Sequence, residues 1–187
     1  WGTAYTAPSV FTMNGGNVVS SDGAVRVASS SYDGYANVSA SFVMNGGKID
    51  AAWDGIFVQQ SNAAWDVLNV TVNGGTIQGN PKSIYAYSAT VNIQSGTVTG
   101  NQLYISGDAT AQAPSTIHVT GGEIPKEIYL RYGSANISGN PVMNGLNFYD
   151  ENQKVTIGTL TEGADVPVKA LKYQNSVHPN YILTDVN

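Results

Sequence analysis

Two near-identical tetrapeptides carry the most chemical potential in this sequence: Ala51-Ala52-Trp53-Asp54 and Ala63-Ala64-Trp65-Asp66. A tryptophan beside a carboxylate offers a large rigid apolar face with a hydrogen-bond acceptor next to it, a combination suited to recognising a sugar ring and its hydroxyls. Tyr32, Asp33 and Tyr35 occupy the corresponding position one repeat earlier. The competing reading is structural, with the tryptophans folding back to cover strand edges.

A second group is spread along the chain in short apolar runs: Ile56-Phe57-Val58, Ile84-Tyr85-Ala86, Leu103-Tyr104-Ile105 and Ile128-Tyr129-Leu130, with Phe148 or Tyr149 as a further member. Side chains alternate between the two faces of a strand. If the aliphatic flanks point into a core, the central aromatics point out, and stacking at about 4.8 Å would make them a flat exposed ladder. Such a ladder suits the apolar faces of sugars, and it equally suits ring-on-ring packing that binds nothing. Tyr85 and Tyr104 extend the set Trp53, Asp54, Trp65, Asp66, Tyr32 and Tyr35 into one candidate glycan site.

Other chemistries find less support. Glycoside hydrolysis needs two carboxylates across a cleft, and lyase action needs a base with a cation to neutralise a uronate. The only arginines, Arg26 and Arg131, are far apart in sequence, and His118 and His178 are the only histidines. His118 lies between Ile117 and Val119 with no obvious acid beside it. A loop calcium at Asp22-Gly23, Asp33-Gly34 or Asp54-Gly55 stays open, but no EF-hand or Gly-rich nonapeptide is present; otherwise these pairs are turns. No cofactor and no catalytic residue is expected.

The elements that would position these residues come from internal repetition. Phe11-Thr12-Met13-Asn14-Gly15-Gly16-Asn17-Val18 returns as Phe42-Val43-Met44-Asn45-Gly46-Gly47-Lys48-Ile49. It returns again as Val70-Thr71-Val72-Asn73-Gly74-Gly75-Thr76-Ile77 and Ile117-His118-Val119-Thr120-Gly121-Gly122-Glu123-Ile124. Val91-Asn92-Ile93-Gln94-Ser95-Gly96-Thr97-Val98 has Ser for the first Gly, and Ala135–Asn140 is a shortened copy. The glycine pairs step by 31, 28, 21 and 26 residues. Each copy reads as an alternating strand, a bend at Asn-Gly-Gly where positive φ is tolerated, a short second strand, and the aromatic third strand. Recurrent Asn14, Asn45 and Asn73 read as a stacked amide ladder. Glycines and β-branched residues oppose helix.

Three short strands and three bends per repeat predict a right-handed parallel β-helix of about six coils, with a β-sandwich as the rival. The Asn-Gly-Gly coils occupy 1–140. Residues 141–187 lose the glycine pair and read as terminal coils and a cap, with Pro167 at an edge.

Composition bounds the partners. The 187 residues include 21 Gly, no Cys and 11% charged residues, with net charge −5. The six lysines and two arginines form no sequence cluster, so a nucleic-acid partner is not expected. No run approaches the roughly 18 apolar residues of a membrane span. A start at Trp1 without Met reads as a piece of a longer chain, fused to further domains.

The Asn-Gly-Gly-x-Ile coils resemble those of large secreted or surface proteins of gut bacteria. So does the run Ile137–Leu146, followed by Lys154-Val155-Thr156-Ile157 and Gly163-Ala164-Asp165-Val166. They are also similar to β-helical carbohydrate-binding modules attached to plant-polysaccharide hydrolases such as xylanases. The resemblance spans nearly the whole chain and is one of coil pattern, so it carries over no binding residue. It implies a non-catalytic module that is secreted or on the cell surface and grips an extended, neutral, xylan-like polysaccharide. The alternatives are a structural stalk or adhesin segment, and a polysaccharide lyase or hydrolase.

Overall fold

The computed structural model describes residues 8–29, 39–59, 67–107, 114–148 and 153–166, and the backbone of 182–185. These contain eighteen β-strands and no helix, so none long and apolar enough to cross a membrane.

The strands form two sheets. One takes the first strand of each repeat: β1 (Ser9–Met13), β4 (Ser39–Met44), β7 (Val67–Val72), β9 (Thr90–Ile93), β11 (Ser115–Val119), β14 (Gly133–Gly139), β17 (Lys154–Leu160) and β18 (Ile182–Asp185), adjacent in that order. The other has two arms. The first arm runs β2 (Asn17–Ser20), β5 (Lys48–Ala51), β8 (Thr76–Tyr87), β10 (Thr97–Ser106), β12 (Glu123–Ile124) and β15 (Val142–Met143). In the second, β3 (Val25–Ala28) and β6 (Ile56–Gln59) pair on to the later halves of β8 and β10, then β13 (Ile128–Arg131) and β16 (Leu146–Phe148). The second and third strands are thus separate in most repeats and fused into one long strand in β8 and β10.

Every strand pair among the described residues is parallel, and each joins one repeat to the next, as in Val70↔Val91 and Ile117↔Ala135. The sandwich rival is built from antiparallel hairpins and Greek keys, so it does not describe these residues. Like positions of successive repeats stack in register. One inward column runs Ile49, Ile77, Val98, and another Ile56, Ile84, Leu103, Ile128, Leu146. All of these side chains are buried and share one core with Phe42, Met44, Val70, Val91, Ile117 and Ile137. Burying each such side chain is worth about 1.5–3 kcal/mol, so a one-residue slip, which would exchange inward aliphatics for outward polar residues, is strongly disfavoured.

The Asn-Gly-Gly bends stack as the sequence suggests. Asn45 Nδ2 donates to Asn14 Oδ1 at 2.8 Å, and Asn73 Nδ2 to Asn45 Oδ1 at 2.9 Å. The second glycine of each bend needs its left-handed backbone: φ is +85° at Gly75 and +88° at Gly96. A Cβ on Gly75 would also lie 2.6 Å from Gly47 O, so the close approach of neighbouring repeats demands glycine there as much as φ does. After residue 141 the first sheet continues through β17 and β18. Pro167 lies outside the described residues.

Candidate functional site

The two arms of the second sheet meet at a corner that recurs in successive repeats. Its members include Asp22–Ala24, Ala52–Gly55, Asn80–Ser83 and Gly100–Gln102. Backbone bonds lock them together: Trp53 N–H donates to Asp22 O at 3.3 Å, Asn80 N–H to Trp53 O at 2.8 Å, and Gly55 N–H to Lys82 O at 3.0 Å. Asn101 Nδ2 donates to Asn80 Oδ1 at 2.8 Å, a second amide pair. This corner carries Trp53 and Asp54.

The two residues part ways. Trp53 is 58% exposed, a large apolar ring left in water, whereas Asp54 is 6% exposed. The tight corner explains the difference. Gly55, which follows, packs so closely that a Cβ on it would lie 2.5 Å from Ser83 O, and the Asp54 side chain lies beneath the bend. The expectation of Asp54 as an open acceptor for sugar hydroxyls is therefore corrected. Its Oδ1 is buried without a hydrogen-bond partner and has Lys82 Nζ at 3.9 Å. Burial raises the Asp54 pKa above the ordinary carboxylate value; the Lys82 charge opposes this and Asp22 reinforces it.

Beside the corner runs the aromatic column, in the register Arg26↔Phe57↔Tyr85↔Tyr104↔Tyr129↔Asn147. Its flanks Ile56, Val58, Ile84, Leu103, Ile105, Ile128 and Leu130 are buried, so the aromatics face outward. Two details depart from expectation. Position 147 continues the column, while Phe148 pairs with Leu130, on the alternate register; Tyr149 lies outside the described residues. The rings also do not form a flat platform. Phe57 and Tyr85 meet at 5.2 Å and 61°, Tyr85 and Tyr104 at 5.4 Å and 79°, and only Tyr104 and Tyr129 approach parallel, at 6.5 Å and 22°. Edge-to-face contact satisfies the ring quadrupoles better than a sandwich does. The rings are half-buried against one another, which raises the pKa of Tyr85 and Tyr129.

Cations complete the face. Lys82 Nζ sits 4.4 Å from the Tyr85 ring centre and 5.9 Å from that of Tyr104, and the Arg26 guanidinium is 5.5 Å from that of Phe57. Arg131 donates to the phenol oxygens of Tyr104 and Tyr132. At the far end Asn147 Nδ2 donates to Glu127 Oε2 at 3.0 Å. A groove of about 380 Å³ opens between Asp22, Ala24, Arg26, Trp53, Asp54 and Phe57, joining the exposed tryptophan to the aromatic column.

Of the residues singled out from sequence, Tyr85 and Tyr104 adjoin in the outward column, Trp53 and Asp54 share a groove with Phe57 at its end, and Lys82 lies between Asp54 and Tyr85. Trp65, Asp66, Tyr32 and Tyr35 lie outside the described residues, as does Asp33. Sequence reasoning missed Arg26, Lys82 and Arg131. The signal available was weak: each cation lies within three residues of an aromatic strand or in register with one. His118 faces outward, 3.4 Å from Asn136 Nδ2 through Nδ1. Among the described residues no three His, Cys, Asp or Glu side chains group into a metal-ligating cluster.

No protein-family model matches the chain, and neither a curated protein nor a solved structure matches it significantly.

Proposed function

We propose that the chain is a right-handed parallel β-helix of about six coils with terminal coils and a cap over 141–187. In this reading it acts as a non-catalytic module that binds an extended, xylan-like polysaccharide. It belongs to a secreted or surface protein of the gut-bacterial type that its coils resemble, and other domains of that protein carry any catalysis. Parallel, in-register pairing of each repeat with the next supports the helical reading, and parallel crossovers are right-handed in nearly all known cases.

One observation carries the binding reading: Trp53, 58% exposed, shares a groove with Phe57 at the end of an outward column of three tyrosines. A sugar ring would lie on the Trp53 face, with neighbouring units running along the tyrosine edges and hydroxyls. Polar groups near the column, including Gln102 and Asn101, would exchange hydrogen bonds with sugar hydroxyls. Asp54 is almost wholly buried beside Lys82, which supports binding over hydrolysis.

The structural alternative, a stalk or adhesin segment, has an observation in its favour. The tyrosines already pack against each other, Tyr85 edge-on to Tyr104 and Tyr104 stacked on Tyr129, and Lys82 covers one face of Tyr85. Affinity electrophoresis through a polysaccharide panel (xylan, β-glucan, mannan, pectin, mucin), with Trp53→Ala and Trp65→Ala alongside, decides between the two. Retardation by one glycan, lost in a folded Trp53→Ala protein, is the expected result. A folded wild type that migrates unretarded through the whole panel would leave the stalk.

A further inference from the structure

The chain has only two arginines. They are 105 positions apart in sequence, yet both point outward from the same arm of one sheet. Arg26 heads the aromatic column on β3, in register with Phe57. Arg131 follows Tyr129 on β13 and is exposed, like Arg26. Four strand steps separate β3 from β13 through β6, β8 and β10, so the two lie roughly 19 Å apart along the face at about 4.8 Å per step. Lys82 lies between them.

Each arginine is held by aromatic groups. The Arg26 guanidinium lies 5.5 Å from the Phe57 ring centre, and it lines the groove beside Trp53. Arg131 bonds the phenol oxygens of Tyr104 and Tyr132 and lies 5.3 Å from the Tyr132 ring centre. A guanidinium has five N–H donors in a fixed fork. Ring contacts fix the plane of each guanidinium, a geometry matched to a carboxylate. Among the described residues the acids on this face are engaged or opposed: Asp54 is buried beside Lys82, Glu127 accepts from Asn147, and Asp22 shares the groove with Arg26.

Resting on the polysaccharide reading above, we propose that the bound glycan carries carboxylates. It is a uronic-acid-bearing chain, such as a xylan backbone with uronic acid side groups, recognised by Arg26 at the Trp53 groove and by Arg131 farther along the column. Lys82 offsets the Asp54 charge that would otherwise repel such a ligand. The resemblance implied a neutral glycan, and the cations look scattered along the chain; folding gathers three of them beside the aromatic column.

The test uses one glucuronoxylan in two forms, native and with its carboxylates reduced to primary alcohols, in affinity electrophoresis at low and high salt. Arg26→Gln and Arg131→Gln are compared with wild type after circular dichroism shows them folded. We expect retardation by the native form, weakened about tenfold or more by carboxyl reduction or by either substitution, and weakened by salt. Equal retardation by both forms overturns the uronate proposal and leaves the polysaccharide reading standing. If neither form retards the protein, nor does any other glycan of the panel, both fall. Native-selective retardation that survives both Arg→Gln changes overturns the assignment to these arginines.

Discussion

Lys82 holds its ammonium between two partners of opposite kind: Asp54 Oδ1 at 3.9 Å and the face of the Tyr85 ring, 4.4 Å from its centre. The lysine thereby ties the corner bend to the aromatic column. It also gives the one buried carboxylate of the corner its nearest positive charge.

Removing that charge alone is expected to destabilise. Lys82→Met keeps the apolar stem but leaves Asp54 buried without its cation, at a cost of about 1–3 kcal/mol. The double variant Lys82→Met/Asp54→Asn should recover most of the loss. Urea titrations of the four proteins measure the coupling, and additive losses would show that the two side chains do not interact.

The Asp54 pKa is raised in the folded state, so folding is favoured by its protonated form. Its contribution is therefore fully present below the ordinary value of 3.8 and is lost as pH rises through the raised folded value. Paired, accessible carboxylates act in the opposite sense, so the difference between wild type and Asp54→Asn isolates this one. Relative to the variant, wild type should lose stability as pH rises across that window. A flat difference curve would contradict the burial of the charged group.

Glycine is required for two separable reasons at one motif position. Gly16 and Gly75 both have φ of +85°, but a Cβ on Gly16 meets nothing within 4 Å, while one on Gly75 would sit 2.6 Å from Gly47 O. Gly16→Ala should cost only the left-handed strain, about 1–2 kcal/mol. Gly75→Ala should cost clearly more, because the neighbouring repeat must shift as well. Thermal unfolding of the two variants gives the comparison, and equal costs would mean the coils can separate freely.

In the amide ladder Asn45 both donates and accepts: its Nδ2 donates to Asn14 Oδ1, and its Oδ1 accepts from Asn73 Nδ2. Asn45→Ala is expected to lose about 1 kcal/mol, the low end for two exposed hydrogen bonds. Asn45→Asp should lose more, since a carboxylate cannot donate to Asn14 Oδ1. Denaturant midpoints at neutral pH distinguish the two.

Much of the framework was legible in sequence because it repeats. The Asn-Gly-Gly bend recurs where tight stacking and positive φ leave little choice, and the alternation around Tyr85, Tyr104 and Tyr129 set their outward register correctly. The site was legible only in part. Trp53 and the tyrosines could be named as aromatics on one side of a strand pattern. The ring tilts could not, because they depend on how neighbouring quadrupoles settle across coils. Nor could the place of Asn147, which a two-residue bend fixes instead of Phe148.

By itself, then, the sequence determined the periodic part of this protein: an all-β chain, the bends, the inward aliphatics and the outward aromatics. These are local consequences of backbone freedom and of side-chain alternation along a strand. Tertiary structure alone decided that Asp54 is buried while Trp53 is exposed, and that Arg26, Lys82 and Arg131 share a face. Those outcomes depend on which corner stacks on which, and unequal repeat lengths of 31, 28, 21 and 26 residues hide that alignment until the coils pair.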